Sequence, residues 1–214
     1  DEATDRCGIC DNCVGEPVDV ELSTDVVAAA EAFLRQRPLE ITARKQCYDD
    51  ITGKRTTIPP DEQLEPGRAL AIWGDAGWGR LVRDAKERAD RAGGEFDDQL
   101  VDAMVDMLRD WSPQPTPHWV TAVSSVRYPE LVASMAERVA ARLGLAFHPV
   151  VRAVVERPAQ ASQQNSYFQQ RNVAGAFAIV GDVPTGPVFL LDDAFDSGWT
   201  LTEVGRLLRR HGSG

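Results

Sequence analysis

Four consecutive apolar residues, Val188 to Leu191, run directly into the paired aspartates Asp192 and Asp193. The loop Ala194-Phe195-Asp196-Ser197-Gly198-Trp199-Thr200 follows, and then a helix. A short, uninterrupted apolar run is expected of a strand covered on both faces, central in a parallel sheet. In open parallel sheets ligands gather at the carboxyl ends of strands, which is where these polar residues fall. Two adjacent carboxylates there accept hydrogen bonds from vicinal ribose hydroxyls, directly or through a metal. Ser197 and Thr200 offer hydroxyls, Gly198 lets the backbone approach closely, and the helix N-terminus points N–H groups at an anion. Together they predict a site for a phosphorylated ribose. The plain alternative is an ordinary strand-to-helix turn capped by Thr200.

The neighbouring segments are patterned to build such a sheet. His118 to Val123 reads as a strand. Pro129 opens a helix with Leu131, Met135 and Val139 on one stripe, closed by Gly144. Ala146 to Val155 and Val173 to Val180 read as further strands, and a helix runs from Leu201 to about Arg210. Strands alternating with helices predict a parallel sheet and an α/β fold. Upstream, Ser23 or Thr24 caps a helix through about Arg35, with Val26, Val27, Ala30, Phe33 and Leu34 as its apolar face. Leu39 to Thr42 is a short strand, and 50–67 is loop-like because Gly53, Pro59, Pro60 and Pro66 break any long element. Helices are expected from Gly77 to Ala92 and from Asp97 to Trp111, the second carrying Leu100, Met104, Met107, Leu108 and Trp111 at helical spacing. Pro113, Pro115 and Pro117 then form a stiff segment, the best candidate boundary.

The segment 188–200 resembles the signature of type I phosphoribosyltransferases, which bind phosphoribosyl diphosphate with Mg²⁺. The resemblance covers roughly residues 117–214. It implies that Asp192 and Asp193 face the ribose hydroxyls and that Asp196, Ser197, Gly198, Trp199 and Thr200 wrap the 5′-phosphate. Phe189, Ala194 and Phe195 stand where aliphatic branched residues are usual. By the same resemblance, Ser124, Ser125 and Arg127 form the diphosphate loop, with a surface role the alternative for Arg127. The run Gln169-Gln170-Arg171-Asn172-Val173-Ala174-Gly175-Ala176-Phe177 is similar to the ComF subgroup of that family. In the loop before it, Gln163, Gln164, Asn165 and Ser166 replace the usual basic residues. With little positive charge to neutralise a departing diphosphate, binding without turnover is the main reading and active transfer the alternative.

The front of the chain carries Cys7, Cys10 and Cys13 within seven residues, with Cys47 apart. Such spacing points to zinc in a reducing, cytoplasmic compartment rather than to a disulfide scaffold. A structural zinc takes four ligands, and Cys47 or a ligand before Asp1 completes the set. The string Cys7-Gly8-Ile9-Cys10-Asp11-Asn12-Cys13 resembles the zinc segment of RecQ-family DNA helicases, which favours the upstream ligand. So does the phrase Gly67 to Arg80, similar to a bacterial RecQ-like subgroup that ends in a phosphoribosyltransferase-like domain. By resemblance, 22–72 supplies a reduced winged helix with basic Arg44, Lys45, Lys54 and Arg55 toward DNA. Trp73 and Trp78 serve packing or base stacking.

The expected organisation is therefore α/β: a partial zinc-binding segment at 1–17, a mainly helical and possibly winged-helix region at 18–112, and a phosphoribosyltransferase-like parallel-sheet domain at 117–214. The expected partners are DNA, through a parent helicase, and a phosphoribosyl-type small molecule with Mg²⁺. A net charge of −10 argues against a wholesale nucleic-acid coat but leaves room for a local basic patch. No apolar run spans a bilayer, so no membrane partner is expected. A chain opening on Asp1 is expected to be a fragment or a processed product, and it shows no helicase ATP-binding motif. A scaffold for protein partners is the blandest reading. His118, His148 and His211 have no partner at catalytic spacing and carry no assigned role.

Overall fold

The computed structural model describes residues 23–49, 51–92, 94–125, 127–154 and 166–213. The expectations for Cys7, Cys10 and Cys13, for 1–17, and for Gln163, Gln164 and Asn165 lie outside the described residues.

Helix α1 (Thr24–Arg35) begins where the sequence places it, with the Ser23 hydroxyl accepting from the Val26 N–H. Much of its apolar face is uncovered among the described residues, where Val26, Val27 and Phe33 stay exposed while Leu34 packs near Gly77. Strand β1 (Leu39–Ile41) pairs antiparallel with β4 (Gly67–Ala69), and β2 (Gln46–Tyr48) pairs antiparallel with β3 (Arg55–Thr57). The stretch 50–67 is thus more ordered than its prolines suggest. It holds β3 and a 3-10 turn at Pro60–Glu62, because prolines at a strand edge and at a turn's first position cost no hydrogen bond.

The phrase Gly67 to Arg80 is decoded by its turn. Asp75 accepts from the N–H groups of Ile72, Gly77 and Gly79. A Cβ on Gly79 would meet the Ile72 carbonyl oxygen at 1.8 Å, so the backbone itself demands glycine there. This turn launches α2 (Trp78–Ala92). Trp78 donates through Nε1 to the Arg35 carbonyl and lies under the Arg35 guanidinium, fastening α1 to α2. Trp78 is therefore a packing residue, whereas Trp73 stays exposed.

Helix α3 (Asp98–Trp111) buries Leu100, Val101, Val105, Met107 and Leu108, close to the expected stripe. Helix α4 (Pro129–Leu143) buries Leu131, Met135 and Val139 and ends at Gly144 with φ 72°. A parallel three-stranded sheet runs in the order β6 (Ala146–Phe147), β5 (Trp119–Ala122), β9 (Val188–Leu191). Val120, Ala122, Phe189 and Leu191 point into one core with α2, α3 and α4. Trp119, Val188 and Leu190 point to the other side, against Val204 and Leu208 of α6 (Trp199–Arg210). The sheet is a middle layer between helices, and apolar side chains from both sides of the 113–117 segment meet in one core.

Three strand expectations need correction. The central strand is β5, buried at every position, while β9 forms the edge of the described sheet. The single strand expected at Ala146 to Val155 is two. Pro149 sits in a tight turn in which the Val150 N–H bonds back to the His148 carbonyl, and the chain leaves the sheet as β7 (Val151–Ala153). The strand expected from Val173 starts later. Val173 ends helix α5 (Ser166–Val173), and β8 (Phe177–Ile179) runs antiparallel to β7.

Candidate functional site

Parallel register carries β9 alongside β5 so that Ala122 pairs with Leu191. Asp192 and Asp193 therefore leave the sheet beside the residues that follow β5, among them Ser124, Ser125 and Arg127. Both sequence-predicted clusters, Asp192 to Thr200 and Ser124, Ser125 and Arg127, lie at the carboxyl ends of adjacent parallel strands. That is where an open α/β sheet binds ligands.

Within the acidic pair, the Asp193 N–H donates to Asp192 Oδ1 at 2.8 Å. Burial, then the neighbouring Asp193 charge, pushes the Asp192 carboxyl up to about 8. At neutral pH it is largely protonated. Asp193 Oδ2 lies 2.9 Å from Lys86 Nζ, and the two side chains are 10% and 12% exposed. The contact has ion-pair distance but not hydrogen-bond angles, so this buried oxygen keeps unused acceptor capacity. Lys86 comes from α2 and also lies near the Trp73 and Tyr128 rings. Sequence reasoning missed it, and only its place four residues before Asp90 on an amphipathic helix hinted at a shared face.

The loop after the pair is shaped by its backbone. Gly198 has φ 78° and caps α6, and a Cβ there would press the Phe195 ring at 3.0 Å. Its carbonyl accepts from the Thr202 hydroxyl at 2.8 Å. Arg44 donates through Nε and Nη2 to the Ser197 carbonyl and stacks over Trp199 at 3.9 Å, fixing the loop from outside the sheet. Burial lowers the pKa of Arg44 from its ordinary value. The Trp199 indole is buried among Cys47, Ile58 and Val173 and donates to the Ser166 hydroxyl, so its side chain packs and faces no ligand. Asp196 stays exposed, and Ser197 and Thr200 are partly buried.

In the second cluster, the Ser125 hydroxyl accepts from the Tyr128 N–H and closes the turn, while Ser124 is partly buried. Arg127 reaches across to Asp90, with Nε at 3.0 Å and Nη2 at 2.7 Å from its two oxygens. The Tyr128 hydroxyl donates to the same carboxylate at 3.0 Å. Burial, then this bond, raises the Tyr128 pKa.

A cavity of about 780 Å³ opens along β9 between α3, α6 and the β1–β4 pair; its mostly apolar lining includes Asp192 and Asp193 as well as Glu40, Arg44, Arg68 and Arg209. A second recess of about 250 Å³ is lined by Arg44, Lys45, Arg55, Tyr48 and Trp199. Cys47 is buried in an apolar cluster with Ile58, Val173 and Trp199. Among the described residues no group of three or more His, Cys, Asp or Glu side chains is gathered as a metal site. No described helix is long and apolar enough to cross a membrane. Compared with known proteins, the chain matches no family model, no curated protein and no solved structure.

Proposed function

We propose that this chain is a ribose-phosphate-binding module joined to the DNA-binding part of a RecQ-type helicase, and that it binds phosphoribosyl diphosphate without transferring it. One observation carries the ligand reading. The acidic pair and the glycine loop into α6 stand at the end of one parallel strand, beside the Ser124 to Arg127 turn at the end of the next. The phosphoribosyltransferase-like architecture is part of this proposal, supported by the helix-flanked parallel sheet and by the resemblance of 188–200.

The residues present suit Mg²⁺. The donors are hard carboxylate oxygens, and Asp193 Oδ2 retains acceptor capacity. Asp192 and Asp193 would hold the metal or the ribose hydroxyls directly, and Mg²⁺ would offset the charge of the diphosphate. Gly198 and the start of α6 would receive the 5′-phosphate. Zinc belongs to the reading through Cys7, Cys10 and Cys13 and the family they resemble. The nucleic-acid part is supported by the basic recess at the β2–β3 hairpin, lined by Arg44, Lys45 and Arg55 beside Tyr48.

Calorimetric titration with phosphoribosyl diphosphate and Mg²⁺ tests the ligand reading. Saturable, Mg²⁺-dependent binding is expected, lost or weakened at least tenfold by Asp193→Asn, with no diphosphate released when free bases are added. Base-dependent release would establish a transferase instead. The nucleic-acid reading is checked by salt-dependent oligonucleotide binding, which Lys54→Ala with Arg55→Ala is expected to weaken and to make less steeply salt-dependent. Unchanged binding in that variant would reject the hairpin as the contact.

A further inference from the structure

We propose that α2 is a built-in cover for this site, placing Lys86 where the ligand's cation belongs and Asp90 where its diphosphate belongs. The inference rests on the ribose-phosphate reading, because it names what that ligand must displace.

Lys86 and Asp90 are four residues apart on one helix and so project from the same face. Lys86 meets the acidic pair through Asp193. Asp90 meets the Arg127 guanidinium in a two-pronged contact and takes a third bond from Tyr128. Three donors converging on one carboxylate is the arrangement that also receives a phosphate. The helix thus offers a cation to the acidic cluster and an anion to the basic turn. A Mg²⁺ complex of a sugar diphosphate has the same order of charges. While these contacts stand, Lys86 sits against the Asp193 oxygen that would take the cation, and Arg127 is engaged by Asp90.

Release does not require α2 to leave the molecule. Leu81, Val82, Ala85 and Ala89 of the same helix are packed into the main core and hold it in place. Arg127 is exposed and can swing away from Asp90, whereas Lys86 is displaced only by a ligand that brings its own cation to Asp193. The cover also selects. A ligand must bring both a cation for the pair and an anion for Arg127 to break both contacts, so metal-complexed diphosphates are admitted and simple sugar monophosphates are not.

The test compares the 214-residue protein with Lys86→Met, Asp90→Asn and the double variant. Lys86→Met keeps the apolar stem against Trp73 and Tyr128, and urea unfolding confirms that each variant is folded. Phosphoribosyl diphosphate with Mg²⁺ and ribose 5-phosphate are titrated into each form. Reductive methylation of Lys86 is followed by peptide mass spectrometry. The cover predicts roughly tenfold tighter diphosphate binding in the double variant and a narrower gap between the two ligands. It also predicts faster Lys86 methylation in the native protein once diphosphate and Mg²⁺ are present. Diphosphate binding that is unchanged or weaker in the variants overturns the cover and leaves the site reading intact. Binding by none of the folded forms overturns the ribose-phosphate reading itself, and the cover with it.

Discussion

Asp192 and Gly79 illustrate how differently single residues of one chain reveal themselves. Gly79 sits in a tryptophan- and glycine-rich phrase that invites a stacking role. Yet its requirement is steric, with the Ile72 carbonyl oxygen occupying the space of any Cβ. Asp192 is legible as a candidate site residue, but its protonation state is not, because that depends first on burial, which only the fold sets. Its folded-state pKa lies above the ordinary 3.8. The stability that its neutral form contributes is therefore complete below that value and lost as pH rises from there through about 8. Asp192→Asn, a neutral mimic, is expected to match the native protein in acid. At pH 8 and above it is expected to melt several degrees higher. Thermal unfolding across this range checks it, and parallel curves at every pH would refute the assignment.

At the scale of elements, periodic segments were readable and long-range pairings were not. Helix α3 shows its buried stripe in its own spacing, and α4 its proline start and glycine stop. Helix α5 gave no such signal. Its buried Gln170 is fixed instead by bonds to the Tyr48 N–H and carbonyl, so the side chain continues a strand on the far side of the sequence. Strands β6 and β7 were fused in the reading because their apolar residues run on through Pro149. Only the turn there shows the break. The 3-10 turn at Pro60–Glu62 was likewise hidden, since its anchor is Glu62 clamped by Arg206 and Arg210 of α6. The Arg210 hydrogen bond, then the Arg206 bond against the cost of burial, holds Glu62 below its ordinary pKa. That stabilisation is full above the ordinary glutamate range and lost as pH falls below it. Glu62→Gln is expected to cost about 1–3 kcal/mol at neutral pH, with the deficit shrinking in acid. Urea midpoints at the two pH values decide this, and an equal deficit at both would show that the clamp is not ionic.

For the whole molecule, the sequence delivered the mixed α/β class and the position of the ribose-phosphate candidate at the carboxyl ends of parallel strands. What it did not deliver was the closure of that candidate by α2. Ion pairs between distant segments leave no periodic trace, so nothing in the sequence singles out Lys86 and Asp90 before the fold sets them against Asp193 and Arg127. The clearest test of the central claim is to map ligand contact residue by residue. Backbone amide shifts in a ¹⁵N-labelled protein, titrated with phosphoribosyl diphosphate and Mg²⁺, are predicted to change at Asp192 to Thr200, at Ser124 to Tyr128 and along the Lys86 to Asp90 face of α2. Shifts confined to other parts of the chain, or none at saturating ligand, would contradict the account.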